Sequence, residues 1–390
     1  IMSFVPKDAT TASPIQSQVN SFGTRFIREM ARGGVDNFFV SPFGAYTVMA
    51  MLGAGARGDT AQEIDSVLGR EALGYEDFMA ELGRETKTDW DLGELKVSNQ
   101  GWHKPGESLA NNFRDRLSLL NTAIESLDFS DRDRAAQVMN DWASDATEGR
   151  IPQIITPDAI DPEVLVIVLA NALLFNGKWL QPFDREKTRA RDFQLPSGEF
   201  VPVQMMYRKG YFPVFTGPGY RAIELSTEGG AWLTVVVPTG ANTLDDLVAN
   251  LDVNAVLAAQ KSNADFDEYK LFFPKWRQTG SYDLIPILQQ LGIRTLFQAP
   301  DPDADPEVGA DLSEMTGARD LHVSRFKQDT LLEIDEEKIE AAAVSHVGVA
   351  CLGSAPEPAK FSVDRPFLGL LFNNNGLLIG AAKVNDPRTG

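Results

Sequence analysis

Residues 164–183 read VLVIVLANALLFNGKWLQPF, and the run from Val164 to Phe175 is the longest apolar stretch of the chain. Asn171 interrupts it, and twelve residues are too few to cross a bilayer, which takes about 20. A continuous run rich in valine, isoleucine and leucine at this length predicts a strand buried on both faces. Trp179, a few residues on, reads by itself as a packed core aromatic.

Outward from that strand the two flanks differ. On the N-terminal side Ser13-Pro14 supplies a helix cap and a first-turn proline, and Ile15, Val19, Phe22 and Phe26 recur at helical spacing until Gly33-Gly34. Asn37-Phe38-Phe39-Val40 predicts a short strand, and Ser41-Pro42 repeats the cap-plus-proline start for an apolar helix towards Gly53 or Gly55. Asp59 is expected to cap a third helix, with Gln62 at the capping-box position and Gly69 just past its end. On the C-terminal side strands are expected at Ala231–Val237, Lys270–Pro274, Leu331–Ile334, Phe367–Phe372 and Leu377–Val384. The last two are joined through Asn374-Asn375-Gly376, where the Asn-Gly step favours a hairpin. Helical runs at Thr243–Leu251 and Asp283–Leu291 lie between the strands. No Gly- or Ser-rich linker and no repeat divides the chain. The expectation is one α+β domain spanning residues 1–390.

Composition narrows the partners. A net charge of −19 opposes nucleic acid, anionic membrane and heparin-like partners, which would meet a like-signed surface. The single cysteine, Cys351, excludes an internal disulfide, and no Asn-x-Ser/Thr acceptor occurs. Such a chain needs neither oxidative folding nor glycosylation, which fits a bacterial or a cytosolic source. Residues 1–14 lack the pattern of a signal peptide, but a mature form would lack it too. The acidic, proline-rich stretch from Pro300 to Asp311 reads as a solvated loop.

Nothing in the sequence supports catalysis. Nucleophilic chemistry needs a base beside a nucleophile, and none of His103, His322 and His346 stands in a recognisable context. His346 and Cys351 are five residues apart, on opposite faces of any strand. There is no nucleophile elbow, phosphate loop, dinucleotide fingerprint or histidine–cysteine metal cluster. No catalytic residue, metal or cofactor is expected.

Several blocks, in order over Ser13 to Pro387, resemble the serpin family of protease inhibitors. Asn37 to Pro42 resembles that family's strand-to-helix junction. Asn171 to Trp179, followed by Pro182-Phe183, is similar to its most specific internal signature. Val203-Gln204-Met205-Met206, Pro274-Lys275 and Ala310-Asp311-Leu312-Ser313 are similar to three further blocks. Glu336 to Ala343 resembles the hinge, and Asp364-Arg365-Pro366-Phe367-Leu368 the strand beyond the loop. The resemblance implies three β-sheets, eight or nine helices and an exposed reactive loop at about 336–360, but no enzyme.

In that family the scissile bond falls seventeen residues from the hinge glutamate. Counting from Glu336 and counting back from Pro366 both end at Leu352, which implies a bait bond at Leu352-Gly353 flanked by Val349, Ala350 and Cys351. Leucine there implies chymotrypsin-, subtilisin- or elastase-like serine proteases as targets, with papain-like cysteine proteases in addition. The resemblance further implies a monomer, secreted or in the cell envelope, with the cytoplasm as alternative.

The hinge comprises Glu336, Glu337, Lys338, Ile339, Glu340, Ala341, Ala342, Ala343 and Val344. As a strand it would show Ile339, Ala341, Ala343, Ser345, Val347 and Val349 on one face, all small or apolar, as insertion into a sheet requires. Lys338 stands where the family has glycine, and Ile339 where it has a small hydroxyl residue. These departures favour the alternative of a non-inhibitory serpin acting as a binding or chaperone-like protein; the run Ala341 to Ala343 opposes it. The resemblance implies a sheet-opening region of Ser41, Asn171, Trp179, Lys275 and Gln328. Gly44 replaces a usual serine there and Gln328 a usual histidine. Lys275 and Glu336 are expected to pair as exposed charges worth roughly 0 to 1 kcal/mol.

Overall fold

A computed structural model of the protein describes residues 13, 15–70, 74–86, 95–163, 165–175, 177–300, 308–336 and 357–389. In chain order these form α1 (Gln16–Arg32), β1 (Phe38–Val40), α2 (Pro42–Gly53), α3 (Gly58–Leu68), α4 (Tyr75–Thr86), β2 (Leu95–His103), α5 (Asn111–Leu119), β3 (Ala123–Ser126), α6 (Arg132–Ala146) and β4 (Ile167–Phe175). There follow β5 (Arg189–Gln194), β6 (Phe200–Gly217), β7 (Tyr220–Ser226), β8 (Trp232–Pro238), α7 (Leu244–Ala249), α8 (Val253–Asn263), β9 (Asp265–Pro274), β10 (Trp276–Asp283), α9 (Ile285–Leu291), α10 (Ser313–Thr316), β11 (Lys327–Ile334), β12 (Ala359–Ser362), β13 (Phe367–Phe372) and β14 (Leu378–Val384). The class is α+β. α10 is a single turn, and it brings the described helices above the eight or nine expected.

The strands form three sheets among the described residues. A nine-stranded sheet runs β1-β14-β13-β8-β7-β6-β9-β12, with β5 also on β6; β10 pairs with β11 alone; and β3-β2-β4 make the third. The turn at Gly376, φ 80°, does close the β13–β14 hairpin. Its carbonyl accepts hydrogen bonds from Gln16 and Asn20 of α1, so the hairpin is tied to the first helix.

One apolar cluster, reaching from Ile15 to Val384, fills the space between α1, α2 and the sheets. A second one lies under α6, where Trp102 of β2 meets Trp142 edge-on at 5.5 Å. That contact fixes α6 across the face of the three-stranded sheet.

Several local expectations need correction. α1 is capped by Ile15 without a side-chain bond, while Ser13 contributes only its carbonyl to the Gln16 N–H. Asp59 lies inside the first turn of α3 instead of capping it, because the helix begins two residues earlier than expected, at Gly58, with Arg57 in the cap position. Its carboxylate still favours the positive helix end. Ser41 does cap α2, accepting from the Gly44 N–H at 3.0 Å with Pro42 as first residue. The apolar run at 164–175 is a strand only from Ile167, and it is not buried on both faces: of its nine residues Leu174 alone is fully buried.

Candidate functional site

The reason for that exposure is a seam. β4 forms a ladder with β2 on one side, and β11 forms one with β10. No ladder among the described residues joins β4 to β11, although the two strands line the same cavity. The cavity holds about 40 Å³, walled by Leu173, Phe175, Trp179, Leu331 and Ile334, with Thr147 and Ile151 beyond the end of α6 closing it from above. Neighbouring strands sit about 4.8 Å apart. A further strand could enter only if the two sheets move apart by about that distance, and it would then meet backbone groups on both sides.

Midway along the seam β11 is latched to the start of α2, and Asn171 of β4 lies against the same turn. Gln328 of β11 holds the Ser41 backbone with both ends of its amide, donating to the carbonyl and accepting from the N–H, each at 2.9 Å. The Ser41 hydroxyl donates to the Ile379 carbonyl at 2.8 Å, and Thr330 donates to the Phe39 carbonyl at 2.7 Å. Across the seam Asn171 of β4 donates to the Asn99 side chain of β2 at 2.8 Å. Gly44 lies where both sides meet: a Cβ there would stand 2.6 Å from Asn171 Oδ1 and 3.4 Å from Gln328 Nε2. Glycine at 44 is therefore what lets Asn171 lie against the start of α2. Gln328 can make both bonds at once because a side-chain amide donates and accepts.

The upper end of the seam carries a second latch. Trp179 is buried, packs edge-on to Phe183 at 6.2 Å, and donates from its indole N–H to the Asp335 carbonyl at 2.9 Å. The next residue, Glu336, is not the exposed charge expected: its side chain is 7% accessible against 44% for Lys275. It accepts from Lys275 Nζ at 2.9 Å and from the Thr188 hydroxyl at 2.7 Å, while its carbonyl accepts from the Phe183 N–H at 2.9 Å. Burial pushes the Glu336 carboxyl up, but the bonds from Lys275 and Thr188 outweigh it and hold the group below the ordinary carboxylate range. Its charge survives burial because every oxygen has a donor.

All five residues expected at the sheet opening, Ser41, Asn171, Trp179, Lys275 and Gln328, line the seam or its latches. Asn99, Thr188 and Thr330 were not anticipated. Thr330 has a sequence signal, since it stands two residues from Gln328 and shares its face of the strand. Asn99 and Thr188 have none, because each arrives from a distant element. Glu337 to Val344 and the stretch from Val349 through Ala350, Cys351 and Leu352 to Gly353 lie outside the described residues. Beyond them the chain resumes at Glu357, and β12 lies parallel on the edge of β9. No group of histidine, cysteine or carboxylate side chains able to hold a metal occurs among the described residues, and none of their helices is long and apolar enough to cross a membrane.

Comparison with known proteins agrees with this geometry. A family model described as Serpin (serine protease inhibitor) matches residues 17–387. The rat protein Z-dependent protease inhibitor is 29% identical over 388 residues, covering 96% of this chain and 84% of that protein. Bovine leukocyte elastase inhibitor is 28% identical over 371 residues, 90% of this chain and 94% of that one. The crystal structure of mouse protein-Z dependent protease inhibitor superposes with a TM-score of 0.81 at 27% identity, covering 96% and 98% of the two chains. These relatives are mammalian and lend the bacterial source no support.

Proposed function

The chain belongs to the serpin family of serine protease inhibitors, and from that premise we propose that it traps a protease that cleaves it at Leu352-Gly353, by inserting the segment after Glu336 between β4 and β11. One observation carries the reading: two unladdered strand edges face each other, and β11 runs directly into the hinge glutamate at the top of the seam. Loop insertion is the family's established switch. Here it has a physical driving force. Inserting about a dozen residues at a net ~1 kcal/mol per hydrogen bond yields on the order of ten kcal/mol, comparable to a domain's whole margin of roughly 5 to 15 kcal/mol. Fuller cover for the half-buried apolar residues of β4 adds to it.

A protease dragged along at the acyl-enzyme stage would lose the oxyanion geometry that deacylation requires. Leucine at the bait position fits the apolar primary pocket of chymotrypsin-, subtilisin- and elastase-like serine proteases, with papain-like cysteine proteases a further class. The proposal includes a monomeric single domain over 1–390 that needs no cofactor, secreted or in the cell envelope, without nucleic-acid, membrane or heparin partners. The bulk charge of −19 supports those exclusions.

Incubation with chymotrypsin, read on a denaturing gel and by mass spectrometry, tests the reading. A covalent adduct with cleavage after Leu352 is expected, and Leu352→Arg should move adduct formation to trypsin. Cleavage without an adduct would leave the non-inhibitory alternative, and cleavage elsewhere would refute the bait assignment.

A further inference from the structure

Against the bulk charge of −19, the outer face of the β5-β6-β9-β12 end of the large sheet is rich in cations: Lys187, Arg189, Arg191, Lys209, Lys270 and Lys360. Three of the six are neutralised, Lys187 by Asp184, Lys209 by Glu268 and Lys270 by Glu357. Arg189, Arg191 and Lys360 are exposed and pair with no described carboxylate. Two of these converge. The Arg191 guanidinium, from β5, lies 4.5 Å from the ring centroid of Phe272, and Lys360 Nζ, from β12, lies 5.0 Å from the same centroid. Tyr207 of β6 tilts against that ring at 5.1 Å, with Lys187 over its own face. The aromatic faces stabilise each cation separately, and neither is neutralised by a described carboxylate, so an anionic group of a partner would find uncompensated positive charge here.

Position says what brings the anion. Glu336, the last described residue before the bait loop, pairs with Lys275, and Glu357, the first after it, pairs with Lys270. Both loop ends are thus tied to lysines, one in the middle of β9 and one just past its end, five residues or roughly 17 Å apart, and Phe272 lies between them. A protease seated on the loop, with a footprint of about 800 Å², would cover the Arg191–Phe272–Lys360 cluster. A polyanion such as a sulfated chain fits less well. It would meet Asp184, Glu268 and Glu357 interleaved with the cations, whereas a protein surface can place one carboxylate at the cluster and keep its own cations beside those acids.

We propose that Arg191 and Lys360, converging on Phe272, form an accessory docking surface for an acidic side-chain patch on the target protease, engaged while the protease occupies the bait loop. This rests on the inhibitory reading above. It selects among proteases that share a leucine preference by the charge beside their active-site cleft, and it acts on association rate.

The test compares α-chymotrypsin with the same enzyme succinylated on its lysines, which makes its surface acidic. Association rates are measured at about 0.01 M and about 1 M salt, where charges act over roughly 30 and 3 Å. Arg191→Gln/Lys360→Gln should react with the succinylated enzyme about three-fold or more slower than wild type at low salt. The deficit should vanish at high salt, and the rate with unmodified enzyme should be at least that of wild type. Arg191→Lys/Lys360→Arg should restore the wild-type rate. Equal rates for wild type and the Gln variant, or equal slowing with both enzymes, would overturn the surface while leaving inhibition intact. A variant changed only in retention on immobilised heparin would reassign the cluster to a polyanion and overturn it as well. Failure of wild type to form a covalent complex with either enzyme would overturn inhibition and the docking surface together.

Discussion

Glu336 closes the top of the seam with a buried charge. Its carboxylate is the only charge at the upper latch that is almost wholly buried, and its donors come from two directions, Lys275 beyond β9 and Thr188 before β5. Because the folded-state pKa lies below the ordinary glutamate value of 4.5, the group stabilises the fold fully above that value and ceases to as pH falls through its own lower one. Glu336→Gln should therefore cost about 1–2 kcal/mol at neutral pH, a charge-assisted bond discounted because Lys275 is 44% exposed. The cost should shrink towards zero in acid. Denaturant melts of both proteins across that range check it; a gap constant with pH would show that the charge contributes nothing. The pairing of Lys275 with Glu336 was legible from the resemblance. The burial of Glu336 was not, because it depends on Thr188, Phe183 and Trp179 closing over it.

At the scale of elements, β4 and β11 are conspicuous for what they lack. Among the described residues each has a ladder on one edge, and side-chain bonds tie β11 to β1 and to the start of α2. Gln328→Ala removes two bonds at ~1 kcal/mol each and frees the middle of the seam. The intact protein should lose about 2 kcal/mol, and a synthetic peptide copying residues 338–349 should enter faster, as read by the fluorescence of a label on it. A variant as stable as wild type and no quicker to take up the peptide would show that the latch is idle. The strands that the sequence revealed, β1, β4, β8, β13, β14 and the C-terminal halves of β9 and β11, are apolar, and most are well buried. Those it missed have a reason too: β6 alternates buried Val201, Val203 and Met205 with exposed residues, but Pro202 and Pro213 argue against a long strand. β2 and β10 are too polar to announce themselves, since each packs beside the seam or under α6 on few apolar side chains.

For the molecule as a whole, β12 sits on β9, and among the described residues no strand lies between β4 and β11. Cleavage at the bait bond should therefore convert a strained arrangement into a more stable one, with a large rise in melting temperature. Ala343→Arg should abolish most of that rise, because the inserted strand would bury an unpaired charge at a cost of several kcal/mol, while the intact variant melts like wild type. Differential scanning calorimetry before and after cleavage decides; an equal rise in both would place Ala343 away from the core face. What the sequence by itself determined is the class and the family, since these follow from local apolar period, turn chemistry and ordered motifs. The seam, the burial of Glu336, the latch of Gln328 on Ser41 and the meeting of Arg191 with Lys360 over Phe272 were decided only by the tertiary structure. Each joins residues tens to hundreds of positions apart, and the free energy of such contacts depends on distance, burial and available partners that no local pattern encodes.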